Sequence, residues 1–329
     1  MDATVVVATF NRASLLDQTL QSLRGIDAGV GRRWDAIVVD NNSTDETRRV
    51  IERHAATFPV PLRYLFEPRQ GRSSALNTGM AAAQGVVIAT TDDDVLVERT
   101  WLATACDALL RPADPAIAYA GGPVRPRWET TPPPWLDRNR GDLWGTIAIQ
   151  DHGDRTFVYE EQRKVPLGAN MAIRKSLVDA IGGFRAELGR GTGRLVLGQE
   201  VPEFLMRARN AGFKGIYLPS MCVHHHIPAG RLTRRYFRRW WFGKGVSRSR
   251  LESVEPLTEL GVDLRKTPHL LNVPRYMYGS AVRDAAGWMR HSLAGSRADA
   301  FRHQMMLVYF AGYFWGRRGT TPVVRTPAS

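Results

Sequence analysis

The chain has 329 residues, enough for one large domain or two smaller ones, and its 43% hydrophobic and 23% charged residues exclude a disordered or fibrous protein. Its formal charge of +13 is uneven: residues 1–230 hold 27 basic and 26 acidic side chains, residues 231–329 hold 18 and 6. Two cysteines, Cys106 and Cys222, argue against a disulfide framework and fit a reducing compartment.

The N-terminal "MDATVVVATFNR" lacks a basic n-region and a long apolar run, so no secretory signal is expected. Three apolar runs rich in β-branched residues read as buried strands: "TVVVATF" (4–10), "DAIVVD" (35–40) and "GVVIATT" (85–91), with "LRYLF" (62–66) a weaker fourth. Amphipathic stretches separate them. Ser43 or Thr44 is expected to cap the second helix, with Asp45 and Glu46 in its first turn, and Gly25 and Gly85 to close the first and third. Such repeats imply right-handed βαβ units in a mostly parallel sheet, which binds ligands at the carboxyl ends of its strands. Polar residues cluster at those ends: 9–12, 40–42 and 92–94.

The first turn, "TFNRAS", is no glycine-rich dinucleotide fingerprint, and no phosphate-binding P-loop occurs. A divalent metal held by carboxylates is the usual substitute, since hard oxygen ligands suit Mg²⁺ or Mn²⁺. Asp92 and Asp94, two apart on an extended segment, point the same way and can share a metal that Asp93 does not face. The other reading of "TTDDDV" is a solvated acidic turn opening the helix near residue 99.

These residues resemble a family 2 glycosyltransferase of GT-A fold. The resemblance rests on "VVVATFNR" (5–12), "IVVDNNSTDET" (37–47), "GRSSALNTGM" (71–80), "TTDDDV" (90–95), "PLGANMAIRKS" (166–176), "IGGF" (181–184) and "GQEVPEFLMRARNAG" (198–212), and covers about residues 3–245. It implies an α/β catalytic domain over 1–228, with a nucleotide-binding half to about 121 and an acceptor half from 122. A basic helical region follows over 229–329. It implies that Thr9, Arg12, Asp40, Arg72, Asn77, Asp92 and Asp93 serve the nucleotide and donor, with Asp40 on the base and Arg72 and Asn77 near the ribose and diphosphate. Leu76 stands where the family often has arginine, so Arg69 or Arg72 is the expected phosphate contact. Gly168, Ala169 and Asn170 would floor the donor-sugar and acceptor site.

The resemblance also implies a divalent metal, Mn²⁺ or Mg²⁺, on Asp94 with Asp92, in a DXD arrangement. "CVHHHIP" (222–228) would add one histidine, His225, with His224 and His226 as alternatives. The base that deprotonates the acceptor falls on Glu200 if Gln199-Glu200 takes the place of the family's acidic pair; a register one residue later puts Val201 at that position, and activity would then depend on Glu203. The implied chemistry is inverting transfer from a UDP-, GDP- or dTDP-linked sugar to a hydroxyl of a glycan or lipid-linked acceptor, in lipid-linked or cell-surface glycan assembly. A catalytically impaired docking protein is the alternative.

The back end carries "RLTRRYFRRWWFGKGVSRSR" (231–250), with eight basic residues and no acid. At 100° per residue, Tyr236, Phe237, Trp240 and Trp241 share one face and Arg234, Arg235, Arg238 and Arg239 the other. Two readings are open: an interfacial helix on an anionic membrane, or a helix packing its aromatics inward. The first places the protein in the cytoplasm, peripheral on the inner face of the cytoplasmic membrane. The longest apolar stretch, "MMLVYFAGYFWG" (305–316), is short of the ~20 residues a spanning helix needs. Nucleic acid is not an expected partner, because it leaves the strand-end carboxylates unexplained. The irregular 123–165 segment offers Trp128, Trp135 and Trp144 for sugar stacking, membrane contact or plain packing.

Overall fold

A computed structural model describes residues 1–136, 141–162, 164–189, 198–254 and 263–318. Positions 137–140 and 163 of the irregular segment lie outside the described residues. The chain divides into two units: residues 1–127, 148–192 and 200–226, and residues 128–147, 193–199 and 227–329.

In the first unit β1 (Ala3–Thr9), β2 (Trp34–Asp40), β3 (Leu62–Phe66) and β4 (Val87–Asp92) run parallel, linked by α1 (Ala13–Arg24), α2 (Thr47–Ala55) and α3 (Arg72–Ala82). There follow β5 (Val95–Val97), α4 (Trp101–Leu110), β6 (Ile117–Gly121) and β7 (Val124–Trp128). Then come β8 (Phe157–Val158), α6 (Tyr159–Gln162), β9 (Asn170–Arg174), α7 (Lys175–Ile181), α8 (Glu200–Asn210), β10 (Lys214–Tyr217) and β11 (Val223–Ile227). The main sheet has the order β3-β2-β1-β4-β9-β6-β10-β8, with β9 antiparallel to both neighbours; β5, β11 and β7 form a small second sheet.

Period-two alternation explains why β1 and β2 sit in the middle. Val5, Val7, Ala36 and Val38 join a core with Leu16, Leu20 and Leu23 of α1. Val6, Ile37 and Val39 face Leu76 and Met80 of α3 on the other side. Both faces are buried, so the strands read as continuous apolar runs, each full side-chain burial stabilising by roughly 1.5–3 kcal/mol.

Two local expectations are corrected. Neither Ser43 nor Thr44 caps α2; Asp45 accepts from the Thr47 amide at 3.0 Å, while the Ser43 hydroxyl accepts from the Asn11 amide at 2.9 Å. Gly85 does not cap α3, which ends at Ala82; a Cβ there would lie 2.4 Å from the Ala3 carbonyl carbon, so the glycine permits close approach to β1. At the far edge His152 packs against Phe157 and Tyr217.

The second unit contains α5 (Gly141–Trp144), α9 (Arg234–Val254), the short strands β12 (His269–Leu270) and β13 (Val273–Pro274), α10 (Arg275–Leu293) and α11 (Arg297–Arg317). Much of the aromatic face of α9 is used in packing: Phe237 and Trp241 are buried, Trp135 meets Phe237 and Phe301 edge-on, and the Trp241 indole donates to Thr146 at 3.0 Å. Glu252 is held by Arg248 at 2.5 Å and by the Tyr313 hydroxyl at 2.6 Å. Among the described residues no helix is long and apolar enough to cross a membrane.

Candidate active site

The sheet reverses its strand order between β1 and β4, and the site forms there. The registers Thr9↔Asp40 and Ala8↔Asp92 bring three polar strand ends level. Asn11 and Asn42 take left-handed backbone (φ 50° and 67°), which asparagine tolerates better than most residues, and the Asn11 side chain accepts from the Thr44 amide at 2.7 Å. The first two turns are thereby stitched together.

Past β4 the chain turns, and its three carboxylates take different partners. Asp93 is buried and accepts from the Thr9 hydroxyl at 2.8 Å and from Arg12 at 2.9 Å. Burial pushes its carboxyl up to about 6, with Arg12 opposing and Asp94 adding to the rise. Asp94 takes a second bond from Arg12 at 2.7 Å, and its Oδ1 lies 3.4 Å from His225 Nε2. Asp92 accepts from Arg72 Nε at 2.9 Å and Nη2 at 2.7 Å.

Strand alternation separates the histidines. His225 is 2% exposed and sits beside Asp94; His224, on the opposite face of β11, pairs with Glu98 at 2.7 Å. The Cys222 thiol, pushed up to about 11 by burial, lies within 4.8 Å of the ligand atoms of that pair.

Arg72 also donates to the Gly168 carbonyl at 2.9 Å and approaches Glu200 Oε1 at 3.9 Å. Glu200, the first residue of α8, is 6% exposed, and its Oε2 is buried with no hydrogen bond among the described residues. Glu203, one turn on, is fully engaged: Arg207 donates to it at 2.6 and 2.9 Å and Arg185 pairs at 3.1 Å. Val201 packs in the core instead.

Other expected site residues have architectural partners. Asp40 accepts from the Ser43 amide at 2.9 Å and the Tyr64 hydroxyl at 3.2 Å. Asn77 clamps the backbone of Phe184, donating at 2.7 Å and accepting at 2.8 Å, so both ends of its amide are engaged away from the expected ribose and diphosphate contact. Asn170 is likewise no exposed floor: it is fully buried, accepts from the Trp101 indole at 2.8 Å and donates to the carbonyls of Pro123 and Met221. The Ala169 carbonyl accepts from Thr91 at 3.0 Å. Arg69 pairs with Glu67 at 2.9 Å, a contact that with Thr78 holds the Glu67 carboxyl down at about 2.

Asn41 was missed as an organiser. Its amide donates to the carbonyls of Glu67 and Arg69 and accepts from the Gly71 amide at 2.8 Å, fixing the loop that leads to Arg72. The only sequence signal was its place in the polar strand end.

Residues 4–182 match the model of the family described as Glycosyl transferase family 2. The chain belongs to glycosyltransferase family 2. Among curated relatives, it is 22% identical to Glycosyltransferase AglE of Haloferax volcanii over 85% of this chain and 87% of that one. It is 25% identical to the Glucosyl-dolichyl phosphate glucuronosyltransferase of the same organism, over 74% and 75%. The mannosyltransferase PcManGT of Pyrobaculum calidifontis, solved with GDP-Man and Mn²⁺, matches with a TM-score of 0.60 and 20% identity over 94% of this chain and 85% of that one. The fold is GT-A, and the protein is a transferase of sugar from a nucleotide-sugar donor.

For this transferase the strand-end donor set suits a hard divalent cation. Asp94 offers a nearly buried carboxylate beside an imidazole, and Asp92 a second carboxylate whose charge Arg72 balances. The Asp92–Asp94 turn and His225 are the residues that would hold it.

Proposed function

We propose that the protein is a metal-dependent, inverting glycosyltransferase that moves a sugar from a UDP-, GDP- or dTDP-linked donor to a hydroxyl of a lipid-linked or cell-surface glycan, working at the inner face of the cytoplasmic membrane. The observation that carries this reading is Glu200: a buried carboxylate with one oxygen unpartnered among the described residues, beside the Arg72–Asp92 pair. Such a group takes the proton of an acceptor hydroxyl, help worth about 10²–10⁴-fold. Arg72 orients it and, through Gly168, fixes the adjoining backbone. Thr9 and Arg12 lock Asp93, which presents the neighbouring Asp92 and Asp94 to the donor. A divalent ion bound there supplies charge neutralisation for the departing nucleoside diphosphate. The Mn²⁺ in the PcManGT complex and the dolichyl phosphate in the name of the Haloferax relative support the metal and the lipid-linked acceptor.

Calorimetric titration with UDP, GDP and dTDP, in Mn²⁺ or EDTA and beside Asp94→Ala, tests the reading. Metal-dependent binding of one nucleotide, lost in the variant, supports it and names the donor class. No binding of any of the three by folded protein overturns it in favour of a docking protein.

A further inference from the structure

The helical unit holds a cavity of about 260 Å³ between the start of α9, the end of α10 and the start of α11. Arg234, Arg238, Arg297, His291, Trp288 and Gln304 line it. Arg234 lies over the rings of Phe301 at 5.2 Å and Trp135 at 5.9 Å, which fixes its guanidinium without neutralising it. Arg238 donates to the neutral Gln304 Oε1 at 3.2 Å. The nearby acids have other partners: Asp284 takes His303 at 2.8 Å, and Asp299 accepts from the Ser296 hydroxyl at 2.5 Å with His291 at 3.8 Å.

Three guanidiniums thus face one cavity with no carboxylate at ion-pair distance among the described residues. Repulsion between them is relieved by an anion, and arginine's planar fork matches phosphate oxygens. A single water needs only about 10–15 Å³ on the same measure, so the space has room for a phosphate group.

A second observation says where the phosphate comes from. Val282, Met289 and Leu293 of α10 are 69%, 56% and 90% exposed. At 100° per residue they fall within about 40° of one another, and the cavity-lining Trp288, His291 and Ser292 lie about 80–180° round the helix from Val282. An unpartnered apolar ridge flanking a basic pocket is the pattern of a surface resting in a bilayer interface, its basic groups among headgroups.

We infer that the Arg234–Arg238–Arg297 pocket seats the phosphate of an anionic membrane lipid, with the α10 ridge entering the interface beside it. The inference rests on the membrane-surface reading given above and locates the contact on α10 and the pocket rather than on the aromatic face of α9.

Vesicle flotation tests it with the full chain: phosphatidylcholine alone, with phosphatidic acid, and with phosphatidylglycerol at matched surface charge. Arg238→Gln/Arg297→Gln is compared with the charge-matched Arg239→Gln/Arg290→Gln, and thermal melts check folding. The expected result is binding to phosphatidic acid vesicles weakened at least about tenfold more by the pocket pair than by the control pair, and a further loss on Leu293→Asp. Equal losses in both pairs overturn the pocket in favour of diffuse charge. Titration with inorganic phosphate is the second arm: phosphate bound by wild type and lost in the pocket pair, with vesicle binding unaffected, overturns the lipid assignment. Nucleotide binding is followed on the same samples. Failure of the pocket then leaves donor binding intact, and failure of the transferase reading leaves headgroup binding intact.

Discussion

Arg72 and Gly168 are interlocked: the guanidinium donates to the glycine carbonyl at 2.9 Å, and a Cβ on residue 168 would lie 3.2 Å from both terminal nitrogens of Arg72 and 3.0 Å from Val201. Gly168→Ala is therefore expected to push Arg72 off Asp92 and away from Glu200. Misplacement of this size costs up to about 10²-fold in kcat/KM, with little change in Tm. Unchanged kinetics in the alanine variant would show that Arg72 is not what positions the site.

Glu200 and Glu203 share the first turn of α8, yet their removal should fail differently. Glu200→Gln is expected to lower kcat about 10²–10⁴-fold while leaving the nucleotide Kd in place. Glu203→Gln removes the charge partner of Arg207 and Arg185, which hold the carboxylate at 2.6 and 3.1 Å; Arg207 keeps the carbonyls of Ile181 and Gly183 and Arg185 is partly solvated, so the variant should destabilise by about 1–3 kcal/mol while the folded fraction still turns over. Denaturant melts beside steady-state rates separate the two, and a folded but inactive Glu203→Gln would reverse the assignment.

The Asn77 clamp on Phe184 makes a prediction opposite to that of a phosphate ligand. Asn77→Leu should lose about 1–3 kcal/mol of stability, because two backbone groups lose their partners. Nucleotide affinity of the folded variant should be nearly unchanged. A large loss of affinity with normal stability would return Asn77 to the donor pocket.

His152 gives the sheet edge a pH dependence. Burial, with a further contribution from Lys164, lowers its pKa from 6.5 to about 4. The folded state thus binds its proton later than the unfolded chain, so the native protein is favoured by the neutral ring above pH 6.5 and loses that advantage as pH falls from 6.5 to 4. The expected result is a decline of Tm across that window that is shallower in His152→Phe. The same slope in both proteins would assign the decline to other groups.

How far these arrangements could be read in advance depended on the distance between partners. Apolar β-branched runs marked β1, β2 and β4 because both of their faces are buried, the half-buried β3 gave a weaker signal, and the polar strand ends followed. The resemblance pointed to Glu200 with Glu203 as the alternative, but the different surroundings of the two acids could not be read. Both are acids at a helix start, and what distinguishes them is Arg185, which depends on tertiary placement. Asn77 and Asn170 were assigned to the site by the family resemblance; the partners that hold them in the fold lie up to 107 residues away and leave no local pattern. The aromatic stripe of α9 was legible as a stripe, but not that Trp135 and Phe301 cover part of it.

The run His224-His225-His226 lies on a strand, where neighbouring side chains alternate between faces; the His225 imidazole faces the Asp94 carboxylate at 3.4 Å, while the His226 amide donates to the Asp94 carbonyl at 2.8 Å. A slip of β11 by one residue against Val95 would bring a neighbouring histidine opposite that position, but it would also turn Val223 and Ile227 out of the core. The run thus offers an imidazole in either neighbouring register, while the buried valine and isoleucine that flank it select the register the strand adopts.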